Sequence, residues 1–141
     1  MDVERTIAVA DTGFVVALLN RTDVRHEAVK AVYANQRSVL LPQTVLAEVA
    51  YLLGRDAGTT VVVGFLNGLP ASRFRLVALT DDDVIRIAAI LGQYADSRID
   101  FVDASVMAIA EHYSSKTILT LDQRDFRLFR PQHCDSFEIL P

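Results

Sequence analysis

The chain has 141 residues, 51% of them hydrophobic, with 14 Lys and Arg against 18 Asp and Glu for a formal net charge of −4. That length suits one domain with one core, the apolar content excludes a disordered chain, and the acidic balance argues against a simple basic nucleic-acid-binding module. Cys134 is the only cysteine, so no intrachain disulfide forms, which suits a reducing cytoplasm. The opening "MDVERTIAVADTG" is too acidic and too short in apolar residues for a signal peptide. No window approaches about 18 uninterrupted apolar residues, so a soluble cytoplasmic protein without a membrane span is expected.

"TIAVAD", Thr6 to Asp11, reads as a short buried strand ending at an acid. "TGFVVALLN" follows as a helix, with Asp11 or Thr12 placed to cap it. Asp23 to Asn35 carries Val24, Ala28, Ala31 and Val32 at helical spacing. "SVLLP" is a second strand, and its Pro42 suits the first turn of a helix from about Gln43 to Ala57 that stops near Gly58. "TTVVVGFLNGL" mixes β-branched residues with Gly and Asn and is read as a short helix. "FRLVALT" is a third strand, and "DDDVIRIAAILGQYA" a helix with three acids in its first turn, where the helix dipole favours them. A further helix runs from about Asp100 to Ser114, "TILTLD" is a fourth strand, and "FEIL" a fifth. Strands alternating with helices imply parallel strands covered on both faces, with ligands at their carboxyl ends.

Two strands end in Asp at that edge, Asp11 and Asp122. Each has an ordinary alternative: a helix cap for Asp11 and a turn or cap residue for Asp122. Asp100 and Asp103 are three apart at a helix start, where dipole stabilisation of about 0.3–1 kcal/mol each is the simpler reading. Asp103, however, sits in the apolar run "FVDASVMAIA". Glu48 is the one acid in "TVLAEVAYLLG", sharing a helical face with Thr44, Tyr51 and Arg55, which also fits a semi-polar stripe. Together the four acids would repel, by about 4 kcal/mol for a pair 4 Å apart at an effective dielectric near 20. Such a cluster persists with shared protons or a divalent cation. All-oxygen donors favour Mg²⁺ or Mn²⁺, and His26, His112, His133 and Cys134 show no zinc-ligand spacing.

The segments "VADTGFVVALLN", "LAEVAYLL", "YADSRIDFVDASVMAIAEHY", "ILTLDQRDFRLFR" and "FEILP" occur in the order of a known family. The chain resembles the PIN domain, in particular the VapC-type toxin ribonucleases of toxin–antitoxin pairs, over essentially its whole length. The resemblance implies one three-layer α/β/α domain over residues 1–141 with a mainly parallel sheet of four or five strands. It implies a Mg²⁺ or Mn²⁺ site made by Asp11, Glu48, Asp103 and Asp122, which would be the catalytic residues for hydrolysis of RNA phosphodiesters. Thr12 and Thr120 fall where the family often has a hydroxyl near these acids, and Asp100 and Asp125 are supporting members. A cognate antitoxin and a homodimer are the partners it implies. The apolar runs "FVVALL" and "VVVGFL" are compatible with partner grooves or with core.

For RNA phosphates, "QRDFRLFRPQH" offers Arg124 and Arg127, with Phe126 and Phe129 better read as core; Arg73 and Arg75 form a smaller basic pair. Three other readings stay open. An aspartate phosphatase wants a second Asp where Gly13 stands, and a receiver-type domain wants a Lys near the last strands, where only Lys116 is available. A non-catalytic PIN-like binding module and a processing nuclease acting on RNA or DNA share the same fold.

Overall fold

The computed structural model describes residues 7–141. The first strand, β1, spans Ala8–Ala10, so Thr6 of the expected strand lies outside the described residues. Helix α1 (Thr12–Leu19) starts one residue after Asp11, and α2 (His26–Ala34) follows a turn. Strand β2 (Val39–Pro42) runs directly into α3 (Gln43–Ala57), and Gly58 then separates α3 from α4 (Thr59–Gly68). Gly58 sits at φ +95°, a conformation open to glycine and strained for other residues, so the chain can reverse there without a longer loop. A short 3₁₀ turn (Leu69–Ala71) leads to β3 (Phe74–Val77). After β3 come α5 (Asp81–Gln93), α6 (Phe101–His112), β4 (Thr117–Leu119), α7 (Gln123–Leu128) and β5 (Glu138–Leu140).

The five strands lie in the order β3-β2-β1-β4-β5, and every neighbouring pair is parallel. From β1 the chain steps outward through β2 and β3, then returns to the other side of β1 for β4 and β5. Right-handed crossovers therefore put α1–α4 on one face and α5–α7 on the other, giving three layers. The reversal falls between β1 and β4. In sheets of this type the crevice at the carboxyl ends of such a strand pair is where ligands bind. Asp11 follows β1 directly, and Thr120 follows β4 directly.

Strands β1 and β2 are buried throughout their length and β4 from Ile118 onward, so they are almost wholly apolar rather than alternating. Helix α6 is buried from Ala104 through Ala110, which explains its run of small residues: it packs on α5, β1, α3 and β2 at once. Phe126, on α7, and Phe129, directly after it, are core, as the sequence reading has them.

Two details differ from the sequence reading. Val24 is 96% exposed and outside α2. The Asp23 carboxylate accepts the Arg25 N–H at 2.7 Å, and the Asp23 carbonyl takes that of His26 at 2.9 Å, so a turn delays the helix by three residues. Val29 is then the buried anchor of α2. The second difference is α7, a six-residue helix between β4 and β5 where no helix was read.

Candidate active site

Asp11 occupies the N-cap position of α1, yet its carboxylate makes no cap hydrogen bond to that helix's free N–H groups. Instead Thr120 Oγ1 donates to Asp11 Oδ2 at 2.9 Å, and Thr120 Oγ1 accepts the Asp122 N–H at 2.9 Å. Thr120 itself is held in register because its N–H donates to the Leu140 carbonyl at 2.9 Å, while the Asp11 N–H donates to the Leu119 carbonyl at 2.9 Å. Pairing of β1 with β4 thus delivers one buried carboxylate to the carboxyl edge and fixes its rotamer from the neighbouring strand. Asp11 is 7% exposed. Burial pushes its carboxyl up from 3.8 to about 6; the Thr12 amide and the Thr120 hydroxyl pull against this, and the carboxylates of Asp122 and Glu48 add to it.

Asp103 arrives from the other side. Asp100 caps α6 in a reciprocal arrangement: the Asp103 N–H donates to Asp100 Oδ1 at 2.9 Å, and the Asp100 N–H donates to Asp103 Oδ2 at 3.1 Å. The local capping role is therefore real for both residues. It also holds the Asp103 carboxyl still. That group is pushed well above the usual carboxylate range, first by burial, then by the Asp100 carboxylate and the charge of Asp11.

Glu48 lies one helical turn after Thr44 in α3. Ser105 Oγ donates to the Val102 carbonyl at 2.7 Å, so at the 2.6 Å contact with Thr44 Oγ1 it is the threonine that donates. This bond ties the first turn of α3 to α6 two residues past Asp103 and brings Glu48 to the same rim. Sequence reasoning missed it, because nothing in the local patterns of the two helices pairs Thr44 with Ser105. Asp122 stands at the N-cap of α7, again with no side-chain cap bond, and is exposed. Asp125 is buried one turn further on; burial and then the Asp122 charge raise its carboxyl, while Arg98 and Arg124 oppose the rise.

Asp11 is therefore the common neighbour: it senses Glu48, Asp103 and Asp122, each from a different element. The donor chemistry is all oxygen, which suits a hard divalent cation. Thr12 Oγ1, beside Asp11, is buried with no hydrogen-bond partner, a group left free for a ligand at this site. Among the described residues no group of three or more His, Cys, Asp or Glu side chains stands close enough to hold a metal ion as it is. What the acids form is an open rim around a buried carboxylate, with the oxygen donors that a hard divalent cation takes.

The basic residues divide. Arg124 lines a cavity of about 370 Å³ beside Asp125, together with Arg98, which the sequence reading did not select. Arg127 is exposed and does not line it, and its carbonyl accepts from Arg130 Nη1 at 2.8 Å. Arg73 is consumed structurally: its Nη1 donates to the carbonyls of Tyr33, Ala34 and Gln36 at the end of α2.

A family model described as PIN domain matches residues 8–130. The chain belongs to the PIN domain family. Among PIN proteins it is 28% identical over 134 residues to Ribonuclease VapC26 of Mycobacterium tuberculosis, covering 94% of this chain and 99% of that one. The crystal structure of M. tuberculosis VapC20, described as a sarcin–ricin-loop-cleaving toxin, superposes with a TM-score of 0.72 at 26% identity, over 79% of this chain and 86% of that one. FitAcB from Neisseria gonorrhoeae shares the fold at a TM-score of 0.71 and 17% identity, over 95% and 96% of the two chains. The matched PIN segment contains Asp11, Glu48, Asp103 and Asp122. No helix among the described residues is long and apolar enough to cross a membrane.

Proposed function

We propose that this chain is a divalent-metal-dependent endoribonuclease, the toxin of a type II toxin–antitoxin pair, with residues 1–141 forming a single nuclease domain. The observation that carries the reading is Asp11: a buried carboxylate at the reversal of the sheet, bonded by Thr120 from the neighbouring strand, that feels the charges of three further acids. The names of the relatives, a ribonuclease VapC and a toxin that cleaves the sarcin–ricin loop, support RNA as the substrate.

In this reading Asp11, Glu48, Asp103 and Asp122 hold Mg²⁺ or Mn²⁺. When bound, the cation supplies a polarised water and neutralises charge on the scissile phosphate. The chain's own part is positioning. Thr120 fixes the Asp11 carboxylate and the Asp122 backbone with one hydroxyl. Asp100 fixes Asp103 from the backbone outward, and Thr44 fixes the helix that carries Glu48. Thr12 adds an unpartnered hydroxyl beside Asp11.

The antitoxin belongs to the same proposal. An apolar cavity of about 310 Å³, lined by residues including Leu18, Leu19, Phe65, Leu69 and Phe74, offers a groove for apolar side chains of a partner. Exposed Tyr51 on α3 and Val84 and Ile85 on α5 support a homodimer.

The test is RNA cleavage by purified protein in Mg²⁺ or Mn²⁺, with EDTA, Asp11→Asn and Asp103→Asn as comparisons. Cleavage by the wild type alone, and only with metal, is expected; identical products from all samples sink the proposal. Growth arrest on expression, relieved by a small co-expressed partner, separates a toxin from a processing nuclease.

A further inference from the structure

The cavity beside Asp125 is built from the two segments that carry acids of the site. One wall is the turn before α6, with Asp96, Ser97 and Arg98, two residues ahead of Asp100. The other is α7, with Arg124 and Asp125 directly after Asp122. Asp125 faces the cavity and feels Asp122, Arg98 and Arg124 together, so the cavity opens beside the acidic rim.

Its chemistry differs from that of another polar cavity, of about 520 Å³, between α5 and α6. There the charges are used on one another. Arg86 Nε and Nη2 donate to Glu111 at 2.6 and 3.0 Å, and His112 Nδ1 donates to Asp83 at 2.9 Å. Glu111 also accepts the Gln132 N–H at 2.8 Å. Arg98 and Arg124 are exposed, and among the described residues neither forms a salt bridge. Their planar forks are free for phosphate oxygens. The volume is at the small end of ligand pockets, about 300–1,000 Å³, which suits one nucleotide unit rather than a duplex. Asp96 and Asp125 balance the two arginines. That balance favours a nucleotide over a free anion: its phosphate takes the arginines, and its sugar hydroxyls donate to the carboxylates.

We propose that this cavity is a nucleotide subsite that holds the RNA unit next to the scissile bond, with its flanking phosphate on Arg98 and Arg124. The proposal rests on the nuclease reading for its substrate and adds the residues that grip it. Arg98 enters as a partner of Arg124, and Arg127 has no part.

The experiment uses the full chain and a short labelled single-stranded RNA. Binding is read by fluorescence anisotropy in EDTA across a salt series, and cleavage kinetics with Mn²⁺ are read on the same RNA. Arg98→Ala and Arg124→Ala are each expected to weaken binding about 5–10-fold and to flatten the salt slope by about 0.7, the value for one phosphate on a single strand. KM rises while kcat stays within about twofold. Lys30→Ala, which removes the same charge from the exposed face of α2, is expected to bind as the wild type does. Wild-type affinity and slope in both arginine variants, or an equal loss in Lys30→Ala, overturn the subsite. Arginine-dependent binding without any cleavage upholds the subsite and removes the nuclease reading. Cleavage with arginine-independent binding does the reverse.

Discussion

Replacing Asp11 with Asn is expected to make the metal-free protein more stable while abolishing cleavage. Asn keeps the shape and an oxygen to accept from Thr120 Oγ1, but it carries no charge. Burial lifts the Asp11 carboxyl from 3.8 to about 6, a rise of about two pH units. Each unit is worth about 1.4 kcal/mol, so the ionised group costs the fold about 3 kcal/mol at pH 7. The direction follows from proton binding. The folded carboxyl holds its proton more tightly than the unfolded one, so its stabilising contribution is complete below pH 3.8 and is lost as pH rises through about 6. Asn has no such dependence, so the advantage of Asp11→Asn over wild type is about 3 kcal/mol at pH 7 and falls to about 1.5 kcal/mol at pH 5. Urea unfolding in EDTA reads this directly, as a midpoint raised by about 1–2 M at pH 7. Far-UV circular dichroism is the probe, because the chain has no Trp. Saturating Mn²⁺ is expected to raise the wild-type midpoint and to leave the variant's unchanged. A variant that unfolds at the same or lower urea than wild type at pH 7, without metal, refutes the picture of Asp11 as an uncompensated buried charge.

Thr120→Val removes the donor to Asp11 and the acceptor for the Asp122 N–H. It is expected to lower stability by about 1–3 kcal/mol and kcat by about 10–100-fold, measured by melting and by single-turnover cleavage; unchanged kcat refutes the positioning role. Arg73→Ala exposes the end of α2 and loses a fan of carbonyl contacts, so a loss of about 1–2 kcal/mol with unchanged RNA affinity is expected in urea and anisotropy measurements. A drop in RNA affinity there returns Arg73 to the binding surface. Ile85→Glu places a charge on the exposed apolar patch of α5 and is expected to convert a dimer to a monomer in sedimentation velocity; a wild type that is itself monomeric at all concentrations removes the dimer.

Elements with a strong local signal were readable. Helix α3 runs from Gln43 to Ala57 as read, because Pro42 closes β2 in an extended conformation and Gly58 turns the chain at the other end. The end of β1 was readable from Asp11, where the apolar run stops, but β4 ends at Leu119, three residues before Asp122, the acid read as its end, because the chain turns through Thr120 into α7. What failed was set by competition or by tertiary contact. The apolar spacing around Val24 promised a longer α2, but the Asp23 turn was the stronger local choice. Helix α7 is too short for periodicity to register. At the site, the four acids were visible one by one, and so were their ordinary roles. Asp100 and Asp103 do cap a helix, whereas the Asp11 and Asp122 side chains do not, and only the tertiary structure separates the two cases. Arg98 was invisible because a cavity wall is a property of two segments brought together, not of either one.

The bond from Thr120 to Asp11 joins residues 109 positions apart. A growing chain that has not yet made β4 can assemble β1, β2 and β3 with the helices between them, but the Asp11 carboxylate then has neither the hydroxyl that orients it nor the acid at 122. The proposed hydrolytic centre therefore cannot close until β4 and the start of α7 have been made, after β1, β2 and β3. On the proposed function, chains that stop before Asp122 are expected to lack RNA cleavage, which leaves partial translation products harmless beside the ribosome that makes them.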